Sequence, residues 1–484
     1  MTTIDYPQIY IGGTWTAPSG HDTIEVHSPA TEERIGSVPR GKEADIDAAV
    51  AAARTAFDAV DGWATWHPKE RAHVLERFAA ELEARGAEMA RRVSMQNGMP
   101  IWLAQQFEAG FPPLLVRYYS DLMTNAPVED ARPGMFGGTS LVSKHPIGVV
   151  GMIVPWNVPQ GISFLKIAPA LAAGCTLVLK PAEETVLDAF LMAEAAAAAG
   201  IPDGVLNVVP GGREVGAYLV EHPGVDKVSF TGSTAAGRWI AEACGRLLRP
   251  VTLELGGKSA AIILDDADLS ASIEQFFAVT LLNNGQICWL NTRVLAPRSR
   301  YQEMVDTITE LARSLKVGDP LDPETKIGPL VSERQRERVE GYIAKGNSEG
   351  GRMTTGGKRP LDRGWFLEPT IFADVDNNAT ISREEIFGPV LSVIPYSDEA
   401  EAVAIANDSV YGLGGSVWSS DPERATDVAR RVRSGTVGVN HYVNDPVAPF
   451  GGIKQSGMGR EMGPEGLHAF QELKTIYLPP PPAN

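Results

Sequence analysis

Residues 147–180 read IGVVGMIVPWNVPQGISFLKIAPALAAGCTLVLK, and this stretch decides the fold. Two runs rich in β-branched residues, IGVVGMIV at 147–154 and TLVLK at 176–180, flank an Ala-rich segment at 165–174. Short apolar runs predict buried strands, and a longer amphipathic segment between two of them predicts a crossover helix. The stretch therefore predicts two parallel strands joined by a helix.

The same alternation continues to residue 255. Further strands are predicted at 205–209, 227–231 and 251–255, and further helices at 184–200, 213–222 and 233–244. Together these elements form a doubly wound α/β unit, which binds ligands beyond the carboxyl ends of its strands. We therefore expect functional residues directly after the strands.

The remaining chain divides into four parts. Residues 45–120 carry long helical patterns, and a Pro- and Gly-bearing interruption at 125–138 is predicted to be a projecting connection. A second α/β region begins with AAIIL at 260–264 and runs to about residue 450. The closing PPPPAN cannot form a helix and is predicted to be extended.

The composition excludes several classes of protein. The chain has 484 residues, 44% of them hydrophobic and 21% charged, and a formal net charge of −17. That acidity argues against nucleic acid or an anionic membrane as a partner, because phosphate binding relies on a positive surface. No apolar run reaches the roughly 18 residues of a membrane span, and the first twenty residues contain no Lys or Arg, so neither an anchor nor an export signal is expected.

The cysteines point to a reducing compartment. Cys175, Cys244 and Cys288 lie far apart and show no C-x-x-C pairing, which argues against a disulfide framework or a zinc ribbon. We therefore expect a cytoplasmic protein with no bound metal.

Two glycine-rich segments resemble phosphate loops. LGGKS at 255–259 is not a P-loop, because the motif requires glycine where Thr252 stands. No G-x-G-x-x-G follows a predicted strand either, so the ordinary Rossmann fingerprint is absent. In FTGSTAAG at 230–237, Gly232 and a capping Ser233 or Thr234 mark a strand-to-helix turn whose N–H groups suit a pyrophosphate. A tight turn with a good N-cap explains the same residues.

Three polar side chains stand at positions where α/β proteins build active sites. Glu254 is the last polar residue of VTLELGG, Asn157 follows the strand in PWN, and Cys288 lies in NNGQICWL at 283–290. A shielded carboxylate suits a general base, an amide suits an oxyanion, and a thiol suits a nucleophile. Each also has an ordinary interpretation: a solvated strand residue, a turn residue and a small buried hydrophobe. A cysteine hydrolase is disfavoured because no histidine motif surrounds Cys288.

The order of the motifs identifies a family. In chain order they are IVPWNVP, LKPAEET, FTGSTAAG, LELGGKS, GQIC, EEIFGPV and PFGGIKQSGMGRE. This series closely resembles the NAD(P)-dependent aldehyde dehydrogenase superfamily, and the resemblance covers nearly the whole chain.

The resemblance implies a catalytic mechanism. Cys288 would attack the aldehyde to give a thiohemiacetal, and Asn157 with the backbone N–H of Cys288 would stabilise the oxyanion. Hydride transfer would leave a thioester, and Glu254 would activate the water that hydrolyses it to a carboxylic acid. Coenzyme A as the acyl acceptor is an alternative that Glu254 disfavours, because an activated water would compete with the thiol. A non-catalytic protein that retains the fold is a further alternative, disfavoured by the intact trio.

The resemblance also implies a cofactor site. Its residues would be Trp156, Lys180, Glu183, Gly232, Ser233, Glu385 and Phe387. Lys180 and Glu183 would hold the adenosine ribose, and the Glu183 carboxylate would repel a 2′-phosphate, which favours NAD over NADP. Gly232 and Ser233 would meet the pyrophosphate, Trp156 would line the site, and Glu385 and Phe387 would position the nicotinamide ribose and ring.

The implied fold is α/β, with a Rossmann-type cofactor domain, an α/β catalytic domain and a small β oligomerisation arm. The cofactor domain would comprise 1–124 and 147–255, and the catalytic domain 256–452. The arm would comprise 125–146 and 470–484, and a homodimer or homotetramer is expected.

The substrate is predicted from five positions of the aldehyde tunnel, namely Val158, Gly161, Leu165, Ile287 and Trp289. Where relatives often carry larger aromatics, the first three are small or aliphatic, which predicts a roomy apolar entrance and a hydrophobic, branched or aromatic aldehyde. A quaternary ammonium substrate is not expected, because cation–π recognition needs ring faces that these three positions lack.

Overall fold

The structure is a computed structural model, and it describes residues 3–127 and 129–480. In chain order, the strands of this part, β1 to β21, are Ile4–Asp5, Ile9–Ile11, Thr14–Thr16, Thr23–His27, Arg34–Pro39, Glu129–Pro133, Thr139–Pro146, Val149–Ile153, Thr176–Lys180, Leu206–Val208, Lys227–Thr231, Val251–Glu254, Ala260–Ile263, Arg293–Pro297, Arg352–Thr355, Thr370–Ala373, Val390–Tyr396, Gly415–Trp418, Gly438–Val439, Gly457–Met458 and Gln471–Leu478.

The α-helices of the same residues, α1 to α16, are Glu43–Asp58, Pro68–Ala84, Gly86–Asn97, Ile101–Ala104, Phe111–Asn125, Pro159–Ala173, Leu187–Ala199, Arg213–Glu221, Thr234–Arg246, Ile273–Thr280, Tyr301–Ser314, Glu333–Ser348, Thr380–Arg383, Glu399–Asn407, Pro422–Ala429 and Gly463–His468. The helical pattern at 69–93 divides at Arg85, and a π-helix at Gln105–Gly110 joins α4 to α5. None of the helices that the structure describes is long and apolar enough to cross a membrane.

The first sheet contains the strands predicted between 147 and 255. Its order is β20-β12-β11-β8-β9-β10-β2-β3, and the five central strands are parallel. Every residue of β8 and β9 is buried, as expected for strands covered on both faces. The predicted α/β class with a Rossmann-type sheet is confirmed.

Helix α6 fills the crossover between β8 and β9. All fifteen of its residues are buried, so the helix is covered by the protein on every side. It begins at Pro159, where a missing N–H costs nothing, and it ends at Gly174, whose φ of 99° suits a residue without a Cβ. This placement fixes the loop 155–158 between the end of β8 and the helix.

The second sheet has the order β15-β16-β17-β14-β13-β18-β19, with β15 antiparallel to its neighbour. It lies in the predicted second α/β region. The pairs of β13 with β14 and with β18 are parallel. Parallel neighbours need a crossover connection, and α10 lies in the one that joins β13 to β14. The sheet supports the loops that carry Cys288 and Glu385.

Two three-stranded sheets complete the described residues. One has the order β21-β7-β6 and joins residues 129–146 to 471–478. The interruption at 125–138 is therefore partly a strand and not only a connection. The other, β1-β5-β4, was not predicted. Within the closing PPPPAN, residues 481–484 lie outside the described residues, and the domain boundaries stay a prediction.

Candidate active site

A cleft of about 570 Å³ opens at the carboxyl ends of the first sheet. Strands β8, β11 and β12 are parallel, so the residues that follow them meet at one edge. The lining from these strand ends includes Trp156, Asn157, Gly232, Ser233 and Glu254, and the second α/β region adds Cys288, Glu385 and Phe387. The structure therefore brings the three predicted catalytic side chains and five of the seven predicted cofactor residues into one cleft.

The loop before Cys288 has an unusual backbone. Asn283 and Asn284 have φ values of 50° and 60°, a left-handed conformation that asparagine tolerates better than most residues. Asn284 Nδ2 donates to the carbonyls of Gly98 and Pro329, at 2.9 Å each, and its Oδ1 accepts from the N–H of Gly328. Both the nitrogen and the oxygen of the Asn284 side chain therefore anchor the loop.

Cys288 lies close to the main chain after β12. A Cβ at Gly257 would lie 2.4 Å from the carbonyl oxygen of Cys288, so only glycine permits this approach. Burial raises the pKa of the Cys288 thiol well above its ordinary value, and the carboxylates of Glu385 and Glu254 raise it further. The resting sulfur is therefore protonated, and thiolate formation requires a base.

Asn157 is buried and held on both sides. Its Nδ2 donates to the carbonyl of Gln286 at 2.9 Å, and its own backbone carbonyl accepts from Nδ2 of Asn283 at 3.0 Å. An amide nitrogen carries two N–H groups. Because Gln286 takes one, the other is available to an oxygen in the cleft.

Glu254 is a buried carboxyl at the end of β12. Among the described residues, no group reaches either of its oxygens with the geometry of a hydrogen bond, although the backbone of Gly452 lies near enough to oppose the rise of its pKa. Burial raises its pKa well above the ordinary 4.5, and the nearby Glu461 raises it further, while Lys166 acts in the opposite direction. A carboxyl with a raised pKa and free lone pairs suits a general base.

Glu385 and Phe387 line the cleft opposite the first sheet. Glu385 Oε1 accepts from the N–H of Gly257 at 3.0 Å, and burial raises its pKa to about 7. Phe387 has a φ of 60°, and its ring meets the ring of Trp156 edge-on, with centroids 5.3 Å apart. The backbone carbonyl of Phe387 accepts from Gln335 Nε2 at 2.7 Å, which fixes this strained residue.

The residues of the cleft fit a dinucleotide. Ser233 caps α9 through its Oγ, which accepts from the N–H of Ala236 at 3.3 Å. The remaining N–H groups of that helix end lack intrahelical partners and face the strand-end edge, where an anionic pyrophosphate is favoured. The aromatic pair Trp156 and Phe387 and the carboxyl of Glu385 line the same cleft as Cys288.

Two predicted cofactor residues lie beside the cleft and not in its lining. Lys180, at the end of β9, is buried, and its Nζ donates to the carbonyls of Pro181 and Gly211 at 2.9 and 2.6 Å. Glu183 forms a salt bridge with Arg40. A ribose approaching Glu183 would therefore meet a carboxylate that already has a cationic partner.

The predicted tunnel residues are more closely packed than expected. Val158 is partly buried, whereas Gly161, Leu165, Ile287 and Trp289 are buried. The expectation that Gly161 opens space is wrong: a Cβ there would lie 2.8 Å from Val158 Cγ1 and 3.1 Å from the carbonyl of Phe107.

An aromatic stack beside Cys288 was not anticipated. The ring of Trp289 stacks on that of Tyr442, with centroids 4.7 Å apart and planes 21° apart. No sequence motif points to Tyr442, because 153 residues separate it from Trp289. The apolar surface next to the sulfur therefore comes from contacts between distant segments.

Sequence reasoning also missed a buried ion pair. Lys166 lies in the fully buried helix α6, and its Nζ contacts Glu461 and donates to Thr231 Oγ1 at 2.7 Å. A lysine inside SFLKIAPALAAG was the available signal, since a buried ammonium needs a partner. Gln335, Arg213 and Arg338 also line the cleft, but no pattern in the sequence marked them. No cluster of three or more His, Cys, Asp or Glu side chains suited to a metal occurs in residues 3–127 and 129–480.

The chain is similar to known proteins over most of its length. The aldehyde dehydrogenase family model matches residues 15–476. A geranial dehydrogenase from Castellaniella defragrans is 56% identical over 476 residues, which cover 98% of this chain and 99% of the relative.

Two solved structures are similar throughout. A Mycobacterium tuberculosis aldehyde dehydrogenase complexed with NAD⁺ has a TM-score of 0.96 and 50% identity, and 99% of each chain is covered. A variant of aldehyde dehydrogenase C from Pseudomonas syringae, complexed with NAD⁺ and octanal, has a TM-score of 0.94 and 41% identity, with 99% of this chain and 97% of the other covered.

Proposed function

Because the chain belongs to the aldehyde dehydrogenase family, we propose that it oxidises a hydrophobic aldehyde to the carboxylic acid, with NAD as the hydride acceptor. The observation that carries the proposal is the meeting of Cys288, Asn157 and Glu254 in one cleft. A thiol, an amide donor and a carboxyl with a raised pKa are the three groups that the reaction needs.

Cys288 is the proposed nucleophile. Its sulfur bonds to the aldehyde carbon, and its proton passes to a base in the cleft, since burial keeps the resting thiol protonated. The free N–H of Asn157 Nδ2 and the backbone N–H of Cys288 donate to the oxygen of the resulting thiohemiacetal. NAD held in the cleft would supply the acceptor for the hydride of the same carbon, and loss of that hydride would leave a thioester on the sulfur.

Glu254 is the proposed base for hydrolysis. Its unpartnered oxygens can accept a proton from a water molecule, whose oxygen then attacks the thioester carbon. The carbon–sulfur bond breaks, the carboxylic acid leaves, and Cys288 regains its proton. One aldehyde, one NAD⁺ and one water thus give one acid, one NADH and one proton.

Seven residues are proposed to hold the cofactor. They are Trp156, Lys180, Glu183, Gly232, Ser233, Glu385 and Phe387. The capped start of α9 favours the pyrophosphate, and the carboxyl of Glu385 suits the nicotinamide ribose. We propose NAD as the preferred cofactor, because Glu183 is a carboxylate that accepts from ribose hydroxyls and repels a 2′-phosphate.

The substrate is proposed to be an apolar aldehyde. Leu165, Ile287 and Trp289 are buried apolar residues, and Ile287 and Trp289 flank Cys288 in the chain. The ring of Tyr442 stacks on Trp289 and extends that apolar surface. A geranial dehydrogenase is 56% identical to this chain, and the P. syringae relative was solved with octanal, and both compounds are apolar aldehydes. We propose an aliphatic, branched or aromatic aldehyde, and the similarity supports the first two of these classes.

The proposed organisation follows the expected domains. Residues 1–124 and 147–255 would form the cofactor domain, 256–452 the catalytic domain, and 125–146 with 470–484 the oligomerisation arm of a homodimer or homotetramer. A reducing cytoplasm is proposed as the location, because Cys175 and Cys244 are free and buried and Cys288 must stay reduced to act.

A substrate panel tests the proposal. Geranial, octanal, benzaldehyde, acetaldehyde and betaine aldehyde are compared by kcat/KM with NAD, and the product is identified with and without added coenzyme A. We expect the first three to exceed the last two and the product to be the free acid. Highest activity on acetaldehyde or betaine aldehyde, or an acyl-CoA product, would contradict the proposal.

A further inference from the structure

The turn after β9 contains a carboxylate that is already paired. Glu183 forms a salt bridge with Arg40, which follows β5. The two side chains are 33% and 31% exposed, so the pair, which lies beside the cleft, is accessible to a ligand from solvent. This pairing changes what the position recognises, because a carboxylate paired with a cation repels a phosphate less strongly than an isolated carboxylate does.

Further basic groups surround this turn. Arg334, which lines the cleft, donates to Glu184 at 3.1 Å. Lys180 Nζ donates to two carbonyls, which leaves one of its three N–H groups. Arg213 lines the cleft on the neighbouring helix α8. The two glutamates of the turn are therefore matched by guanidinium groups, and a buried ammonium is present in addition.

Arg40 has unused donors. Among the described residues, its side chain donates to Glu183 alone. A guanidinium carries five N–H groups in a planar fork that matches carboxylate and phosphate oxygens. Arg40 can therefore keep its contact with Glu183 and still donate to a second anion at the same place.

We propose that Arg40 is a specificity-determining residue that allows the cleft to accept a 2′-phosphate, so that the enzyme binds NADP as well as NAD. Arg40 neutralises Glu183 and donates to the phosphate. The proposal rests on the proposed function, because it takes Glu183 as the residue at the adenosine ribose. It qualifies the expected preference: Glu183 still favours NAD, and Arg40 limits how strongly NADP is rejected.

Equilibrium binding tests this role without any turnover. Calorimetric titration of the wild type and Arg40→Ala with NAD, NADP, 5′-AMP and 2′,5′-ADP isolates the effect of the 2′-phosphate. We expect NADP and 2′,5′-ADP to bind about tenfold more weakly to Arg40→Ala, as for one charge-assisted hydrogen bond at a partly exposed site. Affinity for NAD and 5′-AMP should stay within about twofold, because neither carries that phosphate.

Lys42→Ala is the matched control. It removes one positive charge two residues away, where Lys42 pairs with Asp22 and not with Glu183. Unchanged NADP affinity in this variant separates local recognition from net charge, and melting temperatures of both variants check folding. Arg40→Lys, which keeps the charge but loses the fork, should recover part of the NADP affinity.

Three results would overturn the proposal. The first is that the wild type does not bind NADP, and the second is that Arg40→Ala binds NADP as tightly as the wild type. The third is that Arg40→Ala loses affinity for NAD and for NADP by the same factor. The last result would make Arg40 a positioning residue for Glu183. Failure of the proposed function would be detected by a different measurement: the wild type would form no NADH from NAD with any aldehyde of the panel.

Discussion

Replacing Glu254 with glutamine removes the proposed base while keeping the shape of the side chain. Loss of a positioned general base lowers a rate by about 10²- to 10⁴-fold, and we expect a fall of that size in kcat. The thiohemiacetal and the hydride step depend on Cys288 and Asn157, so each active site should still form one NADH. Stopped-flow absorbance of Glu254→Gln should therefore record a burst of NADH followed by very slow turnover.

The pH dependence follows from the raised pKa of Glu254. Burial and Glu461 shift this pKa well above 4.5, and a base acts only after losing its proton. The kcat of the wild type should therefore fall as pH decreases through the raised pKa, and this limb should be absent from Glu254→Gln. Glu461→Gln removes the like charge and leaves Lys166 in place, so it should move the limb to lower pH.

Stability gives an independent readout of the same shift. A carboxyl with a raised pKa in the folded state holds its proton while the unfolded chain releases it, so stability decreases as pH rises above 4.5. Glutamine does not titrate. The melting temperature of Glu254→Gln minus that of the wild type should therefore increase as pH rises from 4.5 into the neutral range.

Two outcomes would refute this account of Glu254. Steady-state turnover of Glu254→Gln within about threefold of the wild type would show that no base is needed there. Loss of the burst together with turnover would assign Glu254 to the attack of Cys288 and not to hydrolysis.

Three further substitutions test other parts of the site. Asn157→Ala should lower kcat by about 10²- to 10³-fold, as for one oxyanion donor, and an unchanged kcat in steady-state assays would remove Asn157 from the mechanism. Gly161→Ala should lower the free energy of unfolding by about 1 to 3 kcal/mol, since its Cβ would press on Val158, and a rise in melting temperature would contradict the packing described. Asn284→Ala loses three buried hydrogen bonds and should both lower the melting temperature and speed thiol labelling of Cys288; unaltered labelling would mean that the loop holds its shape without this anchor.

The parallel strands were predictable because their determinants are local. IGVVGMIV and TLVLK are short apolar runs beside an Ala-rich segment, and β8, β9 and α6 lie within those residues. The strands β1 to β5 escaped prediction, since they are only two to six residues long and all but β2 are partly polar. Such strands form because neighbouring segments supply the hydrogen bonds and the buried face.

The sequence by itself determined the order of the parallel strands along the chain, the polar residues at their carboxyl ends and the family resemblance, since all three depend on residue type and spacing. Only the tertiary structure decided that Glu461 acts on Glu254, that Arg40 pairs with Glu183 from 143 positions away, and that Val158 and Phe107 fill the space beside Gly161. Burial, electrostatic effects and packing contacts arise between residues that are far apart in the sequence. Their partners are chosen when the chain folds, and no single segment carries that information.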